Sequence, residues 1–399
     1  MAQLDERDVV IVSTARTPIG KFGGSLAGFT APELGGFAIR AAVERAGIEI
    51  ALIDETIIGN VISAGLGQAP ARQAALKAGL PPTVGALTIN KVCGSGLKAV
   101  MLAAGMIRAG DAEVVVAGGM ENMSAAPYLL QQARFGYRLG NAEMIDAVVH
   151  DGLWCATECQ HMGLSAEWIA KEYGVSREAQ DAWAARSHQK ALAAQKRGSF
   201  AAEIVPVELP GKKSQATLFT ADEAIRADTN PEQLAGLRLA FKPEGGTVTA
   251  GNAPGLTDGA AAVVIMSMAK ARELGMAPLA RIIGYAQAAV KPLELFTAPT
   301  FAVQRLLAKT ETTLDDYDLF EINEAFAAQV LANGHSLRLD WDRLNVNGGA
   351  IALGHPIGAS GTRVLVTLIH ALREQGGRRG LASLCLGGGE AVALSIELV

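Results

Sequence analysis

Phe37-Ala38-Ile39-Arg40 opens an amphipathic helix that runs through Leu52-Ile53-Asp54 into the strand-like Thr56-Ile57-Ile58-Gly59-Asn60. Phe301-Ala302-Val303-Gln304 does the same, through Leu314-Asp315-Asp316 into Leu319-Phe320-Glu321-Ile322-Asn323. From Phe to Asn the separations are 23 and 22 positions, and the two stretches stay in step, with 33 positions from Asn60 to Cys93 and 32 from Asn323 to His355. Each is followed by a helix, with Leu97, Val100, Met101 and Ile107 on one stripe in the first and Val364, Leu365, Leu368 and Ile369 in the second. Each helix leads into a strand ending in glycines, Glu113-Val114-Val115-Val116-Ala117-Gly118-Gly119 and Leu381-Ala382-Ser383-Leu384-Cys385. The simplest account is a duplicated α/β domain.

The stretch from about Met123 to Gly255 has no counterpart in the second copy. It holds a polar helical run, Arg177 to Lys196, and turn-rich segments at Pro206 to Lys213 and Asp228 to Pro231. An insertion of this size over one face reads as a lid or substrate-holding domain. The expected division is 1–122 plus 256–277 for the first half, 123–255 for the insertion and 278–399 for the second half.

The chain has 399 residues, 50% of them hydrophobic and 19% charged, which suits two or three well-buried units rather than a disordered protein. A net charge of −5 makes nucleic acid a poor partner. The four cysteines make no disulfide scaffold, the N-terminal Met1 to Asp8 has no signal or transit character, and no apolar run is long enough to span a membrane. A cytoplasmic, reduced setting is expected.

Candidate chemistry centres on His355, inside Gly348-Gly349-Ala350-Ile351-Ala352-Leu353-Gly354-His355-Pro356-Ile357-Gly358. Two cysteines in glycine-rich settings are its possible partners, because a thiol beside an imidazole is a usual route to a thiolate that attacks acyl carbons. Cys93 precedes two glycines and a helix, where the helix dipole is expected to lower its pKa; a buried apolar role is the alternative. Cys385 ends an apolar strand, as a core residue would, yet Gly387-Gly388-Gly389 follows and lets backbone amides face a cleft where an oxyanion forms. Asn323 either caps a helix or holds a water or carbonyl oxygen. Cys155, Cys159 and His161 lack a fourth ligand with zinc-like spacing, so no metal is expected, and the glycine run before His355 lacks the features of a nucleotide loop.

Asn90-Lys91-Val92-Cys93-Gly94-Ser95-Gly96, His161-Met162-Gly163, Thr249-Ala250-Gly251-Asn252, Asn323-Glu324-Ala325-Phe326, Gly354-His355-Pro356-Ile357-Gly358 and Cys385-Leu386-Gly387-Gly388-Gly389, taken in order over nearly the whole length, resemble the thiolases, closest to the acetyl-CoA acetyltransferases. The resemblance implies an α/β thiolase fold of two βαβαβαββ halves in five α-β-α-β-α layers, with the insertion as a loop domain holding coenzyme A. It implies Cys93 as acyl-accepting nucleophile, His355 as its base, and Cys385 as acid and base at the α-carbon of the second acyl-CoA. His355 and a water on Asn323 would stabilise the enolate oxygen, and the N–H groups of Cys93 and Gly387 would receive the tetrahedral oxyanion. Leu153, His161, Met162, Arg226, Ala250 and Phe326 would line the coenzyme A and acyl pocket.

That resemblance implies reversible condensation of two acetyl-CoA to acetoacetyl-CoA and CoA through an acyl-cysteine, within fatty acid metabolism, with no cofactor and a homotetrameric, dimer-of-dimers assembly. A 3-ketoacyl-CoA thiolase of broader chain length is the alternative. A silent acyl-CoA carrier would have lost a reactive group, and a decarboxylating ketosynthase would want His where Asn323 stands. Two positions depart from the family: Pro254 stands where a Ser commonly touches the pantetheine arm, predicting weaker or rearranged contact there, and Leu295-Phe296 stand before Thr297 where short-chain members tend to have Met and Gly, so that Phe296 either reshapes the acyl pocket or packs in the core.

Overall fold

A computed structural model describes residues 5–210 and 217–399; Met1 to Leu4 and the Gly211 to Lys213 end of the turn-rich segment lie outside the described residues. In chain order the first half runs β1 (Val9–Arg16), α1 (Ala31–Ala46), β2 (Glu55–Gly59), α2 (Pro70–Lys77), β3 (Gly85–Ile89), α3 (Ser95–Ala109), β4 (Val114–Asn122) and, after the insertion, β5 (Thr257–Ser267). The second half runs β6 (Ala280–Ala289), α6 (Ala298–Thr310), β7 (Leu319–Ile322), α7 (Ala327–Leu337), α8 (Ile357–Gln375), β8 (Arg379–Leu386) and β9 (Glu390–Leu398). The helix heard in Phe37 begins earlier, at Ala31, because Thr30 and Glu33 form a reciprocal capping box and Pro32 fits the first turn.

The strands lie in the order β3-β2-β4-β5-β1 and β6-β9-β8-β7, the two sets meeting through the β1–β6 pairs Val10–Arg281 and Ile11–Ala280. β2 pairs in parallel with β3 and β4, and β7 with β8, while β4–β5 and β8–β9 are antiparallel. Even the irregularities repeat: β1 shifts register between Ile11 and Ser13, and β6 between Ile282 and Gly284.

Period-two alternation turns these sheets into layers. Val9 and Ile11, with Val115, Val263, Leu384 and Leu394, face a central cluster that contains Leu97 and Val100 of α3 and Val364 and Leu368 of α8. Val10, Val114, Val116 and Val264 face the opposite way, onto Leu34 and Ile39 of α1 and Ala71 and Ala74 of α2. Leu381, Ala391 and Ala393 face Ala302 and Leu306 of α6 and Val330 of α7. The result is α1/α2, sheet, α3/α8, sheet, α6/α7, five layers in all. Each fully buried Val or Leu contributes about 1.5–3 kcal/mol to holding them together.

One expected element differs. The second copy has no full third strand; the counterpart of β3 is a single parallel bridge, Phe320 to Leu344. Asn345 leaves the extended region, at φ 46°, and its side-chain amide replaces the ladder, accepting from Ile322 N (3.0 Å) and donating to Ile322 O (2.9 Å).

The insertion forms α4 (Met162–Glu172), α5 (Arg177–Arg197) and short two-stranded ladders. Buried polar contacts fasten it to the body. Arg16 of β1 bonds Glu203 (3.0 Å) and Asp222 (2.7 Å), and Glu324 accepts from Trp183 Nε1 (3.0 Å) and Ser187 Oγ (2.7 Å) of α5. Paired and hydrogen-bonded in this way, the buried charges are compensated.

Asn345→Ala strips Ile322 of both partners in a buried setting. A loss of about 3 kcal/mol is expected, at 1–3 kcal/mol per unsatisfied group, read as a melting temperature several degrees lower by calorimetry. An unchanged melting temperature would show that the side-chain ladder carries no weight.

Candidate active site

Cys93 sits directly ahead of α3, whose N-cap is Gly94. The approach is tightly held: Ser95 Oγ accepts from Lys91 N (2.8 Å) and donates to Val92 O (2.7 Å), and Val92 adopts φ 44°. A β-branched residue in that region costs about 1–3 kcal/mol, so the surroundings impose the turn that aims Cys93. Side chains are excluded nearby, since a Cβ at Gly94 would meet Leu386 and Val392.

The sulfur of Cys93 receives the N–H groups of Gly387 and of Cys93 itself, both of which favour the thiolate. Burial outweighs them, and the negative charge of Glu121 adds to it, so the thiol is pushed up to about 12. The helix-dipole expectation is therefore corrected: the position before the helix is as expected, yet removal from water decides the resting protonation state. Cys385, at the end of β8, is likewise raised well above the usual thiol range, by burial and then by its nearness to Cys93.

His355 is 7% exposed and held between two side chains. Its Nδ1 lies 2.6 Å from Ser360 Oγ, and its Nε2 lies 3.5 Å from Asn323 Nδ2. Burial, reinforced by the positive charge of Arg363, lowers its pKa to about 3. At rest the site thus holds two neutral thiols and a neutral imidazole.

Cys93, His355, Cys385 and Gly387 all line one cavity of about 310 Å³. Leu153, His161, Met162, Pro254 and Phe326 line it as well, whereas Arg226 and Ala250 are exposed and outside its wall. Asn323 lies behind His355, fully buried, with its Oδ1 unpartnered among the described residues. It does not cap α7, whose N-cap is Phe326, so the capping alternative falls away. Among the described residues no cluster of three or more His, Cys, Asp or Glu is placed to hold a metal. Cys155 is buried and Cys159 exposed.

Three residues escaped the sequence reading. Phe241 lines the cavity and stacks on His161 (centroids 4.7 Å apart, planes at 23°), with Gly163 leaving room for its ring. Glu121 accepts from Asn60 Nδ2 (2.9 Å), Val61 N (3.1 Å), Ile62 N (3.2 Å) and Gly358 N (3.0 Å), tying the end of β4 to the start of α8. Ser360 is the third. The signal for Glu121 was a lone carboxylate ending an otherwise apolar strand. For Ser360 it was a hydroxyl on the first turn after His355. The Phe296 ring also lines the cavity, edge-on to Phe326 at 5.3 Å.

A five-layered duplicated fold with two cysteines and a histidine at one cavity defines an acyl-transfer class, and the comparisons agree. The chain belongs to the thiolase family: residues 9–269 match the thiolase N-terminal domain and residues 276–398 the thiolase C-terminal domain. It is 58% identical to an acetyl-CoA acetyltransferase of Cupriavidus necator, over 98% of this chain and 99% of that protein. An acetyl-CoA acetyltransferase of Pseudomonas aeruginosa is 55% identical over the same shares. The crystal structure of the Bacillus anthracis acetyl-CoA acetyltransferase superimposes with a TM-score of 0.96 at 47% identity, covering 98% of this chain and 99% of that one.

Because the resting thiol of Cys93 titrates near 12, its alkylation by iodoacetamide in substrate-free protein should climb steadily with pH from 6 to 9, as the small thiolate fraction grows. Reaching a plateau below pH 7 would mean a preformed thiolate.

Proposed function

We propose that this chain is an acetyl-CoA C-acetyltransferase, condensing two acetyl-CoA to acetoacetyl-CoA and CoA and running the reverse thiolysis. The observation that carries this reading is the convergence of two thiols and one imidazole on a single cavity, with the Gly387 and Cys93 amides aimed at one sulfur. Cys93 gives its proton to His355 as its sulfur attacks the acetyl carbon, and those two amides take the oxyanion. The departing CoA sulfur recovers the proton from His355, leaving acetyl-Cys93.

In the second half Cys385 passes its proton to His355 and then takes one from the methyl group of a second acetyl-CoA. The enolate oxygen is held by protonated His355 and by a water on Asn323, since without such stabilisation the carbon acid is too weak for a sulfur base. The enolate carbon attacks acetyl-Cys93, and the expelled Cys93 sulfur regains the proton from His355. Coenzyme A thioesters are substrates, and the reaction needs no cofactor.

The cavity wall is apolar, with Phe296 and Phe326 packed edge to face within it, which suits an acyl group. Residues 123–255 act as the coenzyme A-holding domain, with Arg226 and Ala250 contributing from outside the cavity wall. Assembly as a homotetramer is supported by exposed apolar side chains, Phe135 at 90% and Leu139 at 100%, and by the edge strand β3 with Leu87 exposed. A cytoplasmic place in fatty acid metabolism completes the reading.

Mass spectrometry after mixing with acetyl-CoA should place one acetyl group on Cys93. Cys93→Ala should take up none, and Cys385→Ala should be acetylated yet form no acetoacetyl-CoA; equal labelling of both variants would overturn the roles. Initial rates should be far higher on acetoacetyl-CoA than on longer 3-ketoacyl-CoAs, and the opposite order would favour the broad-chain enzyme. Pro254→Ser should lower the KM for acetyl-CoA about 3- to 10-fold, the worth of one hydrogen bond, and an unchanged KM would remove Pro254 from the binding argument.

A further inference from the structure

We infer that Ser360 is a positioning residue that fixes which ring nitrogen of His355 carries the proton. Ser360 is fully buried on the first turn of α8. Its Oγ lies 3.0 Å from the carbonyl oxygen of Pro356, which also accepts the Ser360 backbone N–H at 2.9 Å. A carbonyl can only accept and a hydroxyl has one proton, so that proton is assigned to Pro356. The contact of 2.6 Å between Ser360 Oγ and His355 Nδ1 then has the ring as its donor. Nδ1 carries the hydrogen, and Nε2 keeps its lone pair.

The other side of the ring asks for the same tautomer. Beside Nε2 stands the Nδ2 amide of Asn323, a donor, at 3.5 Å. Two neighbours, one offering a lone pair and one offering N–H, therefore agree, and the basic nitrogen is the one not spent on Ser360. An isolated imidazole has no such constraint.

A hydroxyl does this without charge. A carboxylate behind Nδ1 would hold the same tautomer but would also stabilise the imidazolium and retain its proton. The charged groups around His355 are Arg363, one turn further along α8 and paired with Glu321 at 3.6 Å, and Glu121, which accepts from Gly358 N at 3.0 Å. With neutral Ser360 as its direct partner and Arg363 opposing its charge, His355 takes a proton briefly and gives it back. Both halves of the proposed reaction require that, so the catalytic consequence rests on the acyl-transfer reading, while the tautomer itself is measurable without turnover.

The test uses the full chain labelled with ¹⁵N-histidine, of which there are six, with His355 assigned by its loss in His355→Asn. Long-range ¹H–¹⁵N spectra should show the Nδ1–H pattern for wild type, a shift toward Nε2–H in Ser360→Ala, and recovery in Ser360→Thr. In steady state Ser360→Ala should lower kcat for thiolysis about 10- to 100-fold with KM for acetoacetyl-CoA within about twofold, and Ser360→Thr should restore most of kcat. An Nε2–H pattern in wild type, or Ser360→Ala with wild-type kcat, would overturn the assignment. An Nδ1–H wild type that never acetylates Cys93 would instead overturn the acyl-transfer reading and leave the tautomer standing.

Discussion

The contact on which the rest of this molecule depends is the crossing of α3 and α8 at their first turns. A Cβ at Gly96 would stand 2.8 Å from Thr362 N, and one at Gly361 would run into Leu97 N. Only glycine lets the two backbones come this close, and the approach is what brings the beginnings of both helices to one place. Cys93 and His355 stand just ahead of those beginnings, one from each half. The duplication thus does more than build a larger core: it places two unlike reactive groups at equivalent points of two similar units, facing each other across their seam.

Around that seam, buried carboxylates act as staples. Glu121 reaches from β4 to the amide of Gly358 in α8, and Glu324 gathers Trp183, Ser187, Asn345 Nδ2 (3.1 Å) and Ile351 N (3.1 Å). Each accepts four donors, which satisfies a carboxyl group placed away from water. One joins the two halves and the other joins the insertion to the second half. The site is therefore rigid where its loops would otherwise be free to drift.

Much of this was legible in the chain because it is periodic. The paired spacings around Asn60 and Asn323, the apolar stripes of α3 and α8, and the glycines beside Cys93 and Cys385 all lie within short windows, where local geometry speaks directly. What was not legible depends on residues far apart. The protonation of Cys93 is set by burial, with the charge of Glu121 adding to it, against both the N–H of Gly387, nearly three hundred positions away, and a helix dipole that the local sequence announces. The missing third strand hid because Asn345 performs backbone bonding with a side chain, which no hydrophobic pattern records. Phe241 entered the cavity wall through the fold of the insertion, and Arg226 and Ala250, placed by family likeness, lie outside that wall.

The neutral resting state of the two sulfurs carries a further consequence. Burial holds the Cys93 thiol far above the usual range, so little of it is ionised near neutral pH. Peroxide and similar oxidants attack the anion and spare the protonated form. Two cysteines can therefore stand beside each other in an apolar chamber with burial holding back sulfenic acid formation at rest.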